Sequence, residues 1–163
     1  MDADALIDAE LRLLRAGRPE VSGVVLAGTD GLLVASDLTE PAATHLAALA
    51  AASFGLGQRF ALAVEQGEFR EQVVRTTAGH VVVHPAGGHA LLVLVVGAQA
   101  DPGALREPAR AAAGRVGEIV DAHRVGYAVP TPVVPRPLVT RTPMATVPRH
   151  LLRAAPAWRR PPV

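Results

Sequence analysis

Residues 68–97 read EFREQVVRTTAGHVVVHPAGGHALLVLVVG. Three β-rich runs alternate with two glycine-bearing turns, Ala78-Gly79 and Gly87-Gly88. Glycine reaches positive φ without a Cβ penalty, so such turns between apolar runs mark hairpins. The stretch predicts a three-strand antiparallel meander. Its first strand, Phe69 to Thr76, mixes Arg70, Glu71 and Arg75 with Phe69, Val73 and Val74, which suits an exposed or partner-facing edge. Its last, Leu91 to Val96, is apolar at every position, so both of its faces are covered. The sheet therefore runs from an edge to a centre, with helices on each side.

Upstream, residues 21–28 (VSGVVLAG) and 32–36 (LLVAS) flank Thr29-Asp30-Gly31, a second hairpin with Asp-Gly turn chemistry. Val24 to Ala27 also reads as buried on both faces. An amphipathic helix is expected from Asp4 to Ala16, with Leu6, Leu11, Leu13 and Leu14 on its apolar side. Between hairpin and meander lies an alanine-rich helix, from about Ala42 to Gly55 or as far as Val64. Asp37 or Thr39 is its expected cap, with Pro41 in the first turn. Leu46, Leu49, Ala50, Ser53, Phe54 and Leu56 mix with alanines, almost without charge. A helix apolar nearly all round is buried nearly all round. One side suits the sheet and the other a second subunit. Gly55 and Gly57 weaken the helix and make a kink conceivable. A last helix, Pro102 to His123, should cover the opposite sheet face beside the first helix.

The order helix, two strands, helix, three strands, helix defines an α+β fold. It is a five-stranded antiparallel sheet sandwiched between helices, with the two apolar strands at its centre. Of 163 residues half are hydrophobic but only 3% aromatic, so Val, Leu and Ala build the core. No cysteine is present, which excludes disulfides, thiol nucleophiles and Cys-type zinc sites. All sixteen basic residues are arginine, so a P-loop lysine and a Schiff-base lysine are excluded too. The acidic, amphipathic N-terminus does not read as a secretory signal. No unbroken apolar run approaches the ~18–20 residues of a membrane span. These features predict a cytoplasmic protein, with any membrane association made through partners.

Composition shifts at residue 128. Residues 1–127 carry ten arginines and fifteen acids, net −5. Residues 128–163 carry nine prolines, six arginines and no acid, net +6. The sequence thus divides into an acidic domain, 1–127, and a Pro/Arg-rich tail expected to be disordered. The tail's arginines could touch anionic surfaces. Their spread argues against specific nucleic-acid recognition.

The run from Val21 to Asp37, VSGVVLAGTDGLLVASD, resembles the first hairpin of the roadblock/LC7 family, which precedes an alanine-rich helix. The run from Glu68 to Val96 resembles that family's closing meander. The likeness spans about residues 1–125, through patterns of small and apolar residues rather than catalytic signatures. It is nearest to the bacterial single-domain branch, whose members work beside Ras-like GTPases and, in some operons, sensor histidine kinases. The resemblance implies a homodimer in which the first meander strand pairs with its symmetry mate and the alanine-rich helices lie side by side. The candidate interface is Leu46, Leu49, Ala50, Ser53, Phe54, Phe69, Glu71, Val73 and Arg75.

Chemistry-bearing residues have simpler readings. His80 and His84 are four apart on a strand, roughly 13 Å, too far to share an ion. His84 and His89 could lie diagonally across the hairpin, but no third ligand is evident. All three read as polar surface histidines, and no metal or other cofactor is implied. Ser53 lies mid-helix and not in a nucleophile elbow. Glu65, Glu68 and Glu71 read as a solvated face or dimer contact. Arg59, Arg70 and Arg75 fall near the expected interface. The leading expectation is a non-enzymatic homodimeric regulator or scaffold of a small Ras-like GTPase, acting on hydrolysis, exchange or localisation. Two alternatives stand beside it: an adaptor in a sensor-kinase complex without a GTPase, and a small-ligand-sensing module.

Overall fold

The computed structural model describes residues 2–125, and the expectations for the tail lie outside them. The elements are α1 (Ala3–Ala16), β1 (Val21–Gly28), β2 (Leu33–Ser36), α2 (Glu40–Ala63), β3 (Gln72–Arg75), β4 (Gly79–Ala86), β5 (Ala90–Gly97) and α3 (Pro102–Val125). The strands form one antiparallel sheet in the order β2-β1-β5-β4-β3. The two strands apolar at nearly every position, β1 and β5, pair at the centre, with Val25 opposite Val93 and Leu26 opposite Leu92.

Strand alternation sorts the core into two layers. Val24, Leu26, Val82, Leu92 and Leu94 face α1 and α3, meeting Ile7, Leu11, Leu105, Ala109 and Val116. Val25, Ala27, Val83, Leu91 and Val93 face α2, meeting Ala43, Ala47, Ala50 and Phe54. Arg115 Nε donates to Glu10 Oε2 at 2.7 Å and ties α3 to α1. Asp37 does not cap α2. Its Oδ1 accepts from the Val24 amide at 2.7 Å and its Oδ2 pairs with Arg15, so it fastens β1 to α1. Thr39 occupies the N-cap, with its side chain making no capping bond.

Glycines act here in two ways. Gly31 and Gly87 have positive φ, 86° and 66°, as the turn chemistry predicts. Gly79 does not. It is needed for closeness: a Cβ there would stand 2.3 Å from the Val96 carbonyl oxygen.

α2 runs unbroken through Gly55 and Gly57 to Ala63, so the kink does not occur. Phe69 explains Gly57: a Cβ at Gly57 would lie 2.4 Å from the Phe69 ring. That ring meets Phe54 edge-on, with centroids 5.1 Å apart. The helix ends in a Schellman motif, with Gln66 N donating to Ala61 O and Glu65 N to Leu62 O. Glu65 takes the left-handed position at φ 53°, where glycine is usual. With Phe69 docked on α2, the first meander strand starts later than expected and spans only Gln72–Arg75.

Candidate interaction surface

α2 covers one sheet face with a single stripe. Ala43, Ala47, Ala50 and Phe54 are buried, at spacings of four, three and four. The Phe69 ring over Gly57 marks one flank of this stripe. Gly31, against Ala48 and Ala51, marks the other. Advancing 100° per residue, Leu49, Leu56 and Phe60 fall outward on the Phe69 flank, and each is more than half exposed. That flank continues toward β3, where Val74 is also exposed. An apolar ridge thus runs beside an open sheet edge.

The two edges of the sheet differ. β2 is bulged: Leu26 opposes Ala35 while Ala27 opposes Leu33, which leaves Val34 outside the register. A short, bulged edge is a poor template for another strand. β3 is regular over its four residues, from Gln72 opposite Val83 to Arg75 opposite His80. Its outer side is the smoother one for pairing.

Of the nine expected interface residues, Leu49 and Arg75 are exposed. Leu46 and Phe69 are half-buried against the α2 core layer, and Val73 against the α3 layer. Ala50 and Phe54 face the sheet. Ser53 is half-buried, and its hydroxyl donates to the Ala50 carbonyl within its own helix. Leu56, Phe60 and Val74 complete the open surface. Their signal was readable in the steps of seven and four from Leu49 and in the alternation of β3. Glu40–Ala63 is also long and apolar enough, by length and composition, to cross a membrane, although its apolar residues form no unbroken run. Here its inward stripe packs on the sheet.

Glu71 is drawn inward rather than solvated. Its side chain is 19% exposed, and one carboxylate oxygen pairs with Arg106 of α3. This bond raises the Arg106 guanidinium above its ordinary pKa. The other oxygen lies 3.7 Å from His84 Nε2. His84 corrects the surface reading of the histidines: it is 3% exposed, on the α3 side of β4. Its position was legible in parity, since Val82, His84 and Ala86 share one strand face. Burial holds its pKa below 6.5, against the opposing pull of Glu71. His89 is exposed and its Nδ1 lies 2.9 Å from Asp121 Oδ1, in a contact that pins the β4–β5 hairpin to α3. Among the described residues, no group of three His, Asp or Glu side chains is placed to hold a metal ion.

The sequence profile of the roadblock/LC7 domain matches residues 7–96, and the chain belongs to that family. Solved structures share the fold. A Streptomyces avermitilis roadblock/LC7 domain is 24% identical, covering 72% of this chain and 97% of its own, with a TM-score of 0.62. The gliding protein MglB of Thermus thermophilus is 22% identical, covering 75% and 93%, with a TM-score of 0.64. An MglB described with a tetrameric arrangement is 23% identical, covering 75% and 93%, with a TM-score of 0.65. No curated protein matches the sequence.

Proposed function

We propose that this protein is a cytoplasmic, non-enzymatic homodimer that regulates or scaffolds a small Ras-like GTPase. The carrying observation is the ridge of Leu49, Leu56 and Phe60 beside the regular β3 edge. Burying the exposed half of each such side chain contributes about 1–1.5 kcal/mol, and strand pairing adds hydrogen bonds along the edge. A second copy supplies the same ridge and edge across a two-fold axis. The MglB tetrameric arrangement is consistent with self-association on this fold. Family membership supports the GTPase as partner. The chain itself has no lysine to serve a phosphate loop.

The test has two arms. Light scattering at micromolar concentration should give the mass of two chains. Calorimetry against a small Ras-like GTPase from the same organism, loaded with GDP or with a GTP analogue, should show binding that depends on its nucleotide. A monomeric mass removes the homodimer. Absence of binding in both nucleotide states removes the GTPase.

A further inference from the structure

Glu71, His84 and Arg106 join three elements at one point. Glu71 is the residue before β3, His84 lies within β4 and Arg106 in the first turns of α3. His84 Nε2 has no hydrogen-bond partner although the atom is fully buried. Such an atom is costly, and native structures seldom leave one without a reason. What it faces is a carboxylate oxygen, Glu71 Oε2, at 3.7 Å. The same carboxylate already accepts from Arg106 through Oε1. A neutral imidazole carries its proton on one nitrogen only. At 3.7 Å Nε2 makes no bond to the carboxylate, the arrangement of a ring whose proton is on Nδ1 and whose Nε2 is an acceptor that a carboxylate cannot satisfy. An imidazolium donates from both nitrogens, and closing the gap by under about 1 Å makes a charge-assisted bond.

We propose that His84 is a proton sensor wired to the sheet edge. On taking a proton, its Nε2 donates to Glu71 Oε2 and completes an Arg106–Glu71–His84 bridge that clamps the start of β3 onto β4 and α3. The proton comes from solvent and the carboxylate stays ionised, so charge balances without another reactant. The other charged groups facing the site are Glu107 and Arg110 of α3. Arg75 and His80 lie further along the same sheet face, opposite one another on β3 and β4. Burial opposes protonation most strongly; Glu71 favours it, Arg106 and Arg110 oppose it, and Glu107 favours it. The sensor therefore responds on the acid side of neutrality.

The experiment is a nuclear magnetic resonance titration of the full chain. It compares wild type with Glu71→Gln, Arg106→Gln and His84→Gln. The His84 imidazole should titrate below 6.5. Its midpoint should fall further in Glu71→Gln and rise in Arg106→Gln. The Glu71 carboxyl carbon should shift with the same midpoint in wild type and stay still in His84→Gln. Amide protection of Gln72–Arg75, taken relative to Leu92 in β5, should rise about tenfold through the transition, the equivalent of a hydrogen bond to a charged group. His84→Gln and Glu71→Gln should lose that rise. An unchanged midpoint in Glu71→Gln overturns the proposal. So does flat β3 protection in wild type, or the same rise in His84→Gln. Arg106 is mostly exposed, so Arg106→Gln keeps the test valid if a buried variant fails to fold.

Discussion

Two glycines two residues apart on α2 have opposite worth. Gly57 lies under the Phe69 ring, and Gly55 has nothing within 4 Å of the Cβ it lacks. Alanine gains about 1 kcal/mol of helix propensity at either site. Gly55→Ala should therefore raise stability by about that amount. Gly57→Ala should lower it by about 1–3 kcal/mol, because overpacking exceeds the propensity gain. Urea midpoints of the two variants check this, and equal shifts would show that Phe69 yields freely. His84 supplies the pH dependence. Its folded pKa lies below 6.5, so above 6.5 both states are neutral and its contribution is intact. As pH falls below 6.5 the unfolded chain takes the proton first, and stability is lost until the folded pKa is passed. His84→Leu removes the titrating group and its unpartnered Nε2, so melting temperature should drop less between pH 7.5 and 5.5 than in wild type. Equal drops would place the acid sensitivity elsewhere. Neither residue was read correctly from sequence, since a local scan assigns glycine to a weak helix and histidine to the surface. What decides both is a contact with a segment distant in the chain.

Elements whose own residues determine their surroundings were the legible ones. Leu91–Val96 and Val24–Ala27, with no polar side to offer, had to be central, and they pair with each other. The layering of α1 and α3 against α2 followed from those two strands. β3 was overextended because Phe69 and Glu71 have partners outside the sheet, Phe54 on α2 and Arg106 on α3. Alternation alone does not reveal that an apolar or charged residue has left the strand for a helix. The open side of α2 was legible as apolar, yet its extent required the inward stripe to be located first. Leu56→Asp places a charge in the middle of that ridge without touching the sheet-facing residues. It should convert a dimer to monomer by light scattering while circular dichroism stays unchanged. Val34→Asp, on the bulged β2 edge, should leave the mass alone. The reverse pattern would move the interface to the other edge of the sheet.

The whole chain joins an acidic segment to a basic one, −5 against +6, under a near-neutral sum of +1. Among the described residues every strand lies within 21–97, and the helices that cover the sheet lie within 3–125. A 1–127 truncation should therefore keep its melting temperature, and a marked loss would show that residues 128–163 contribute to the fold. Binding of the tail to anionic vesicles, where it occurs, should weaken steeply with salt, because solvent-exposed charges are screened within about 10 Å at 0.1 M. The acidic domain would then remain free for other contacts. Its proposed partner is a switch protein, whose two loops change order with the γ-phosphate. A rigid dimer that meets those loops better in one state binds that state more tightly, by its differential contact energy. Linkage makes the effect reciprocal: the dimer must change the GTPase's relative affinity for its two nucleotides by the same factor. Calorimetry with GDP and with a GTP analogue should give different dissociation constants for this protein. Nucleotide affinities measured with and without the dimer should differ by the matching ratio. Equal constants in both states would leave tethering as the role, with no influence on the nucleotide balance. Hydrolysis of GTP by this chain alone, rising in proportion to its concentration through further purification, would overturn the non-enzymatic reading.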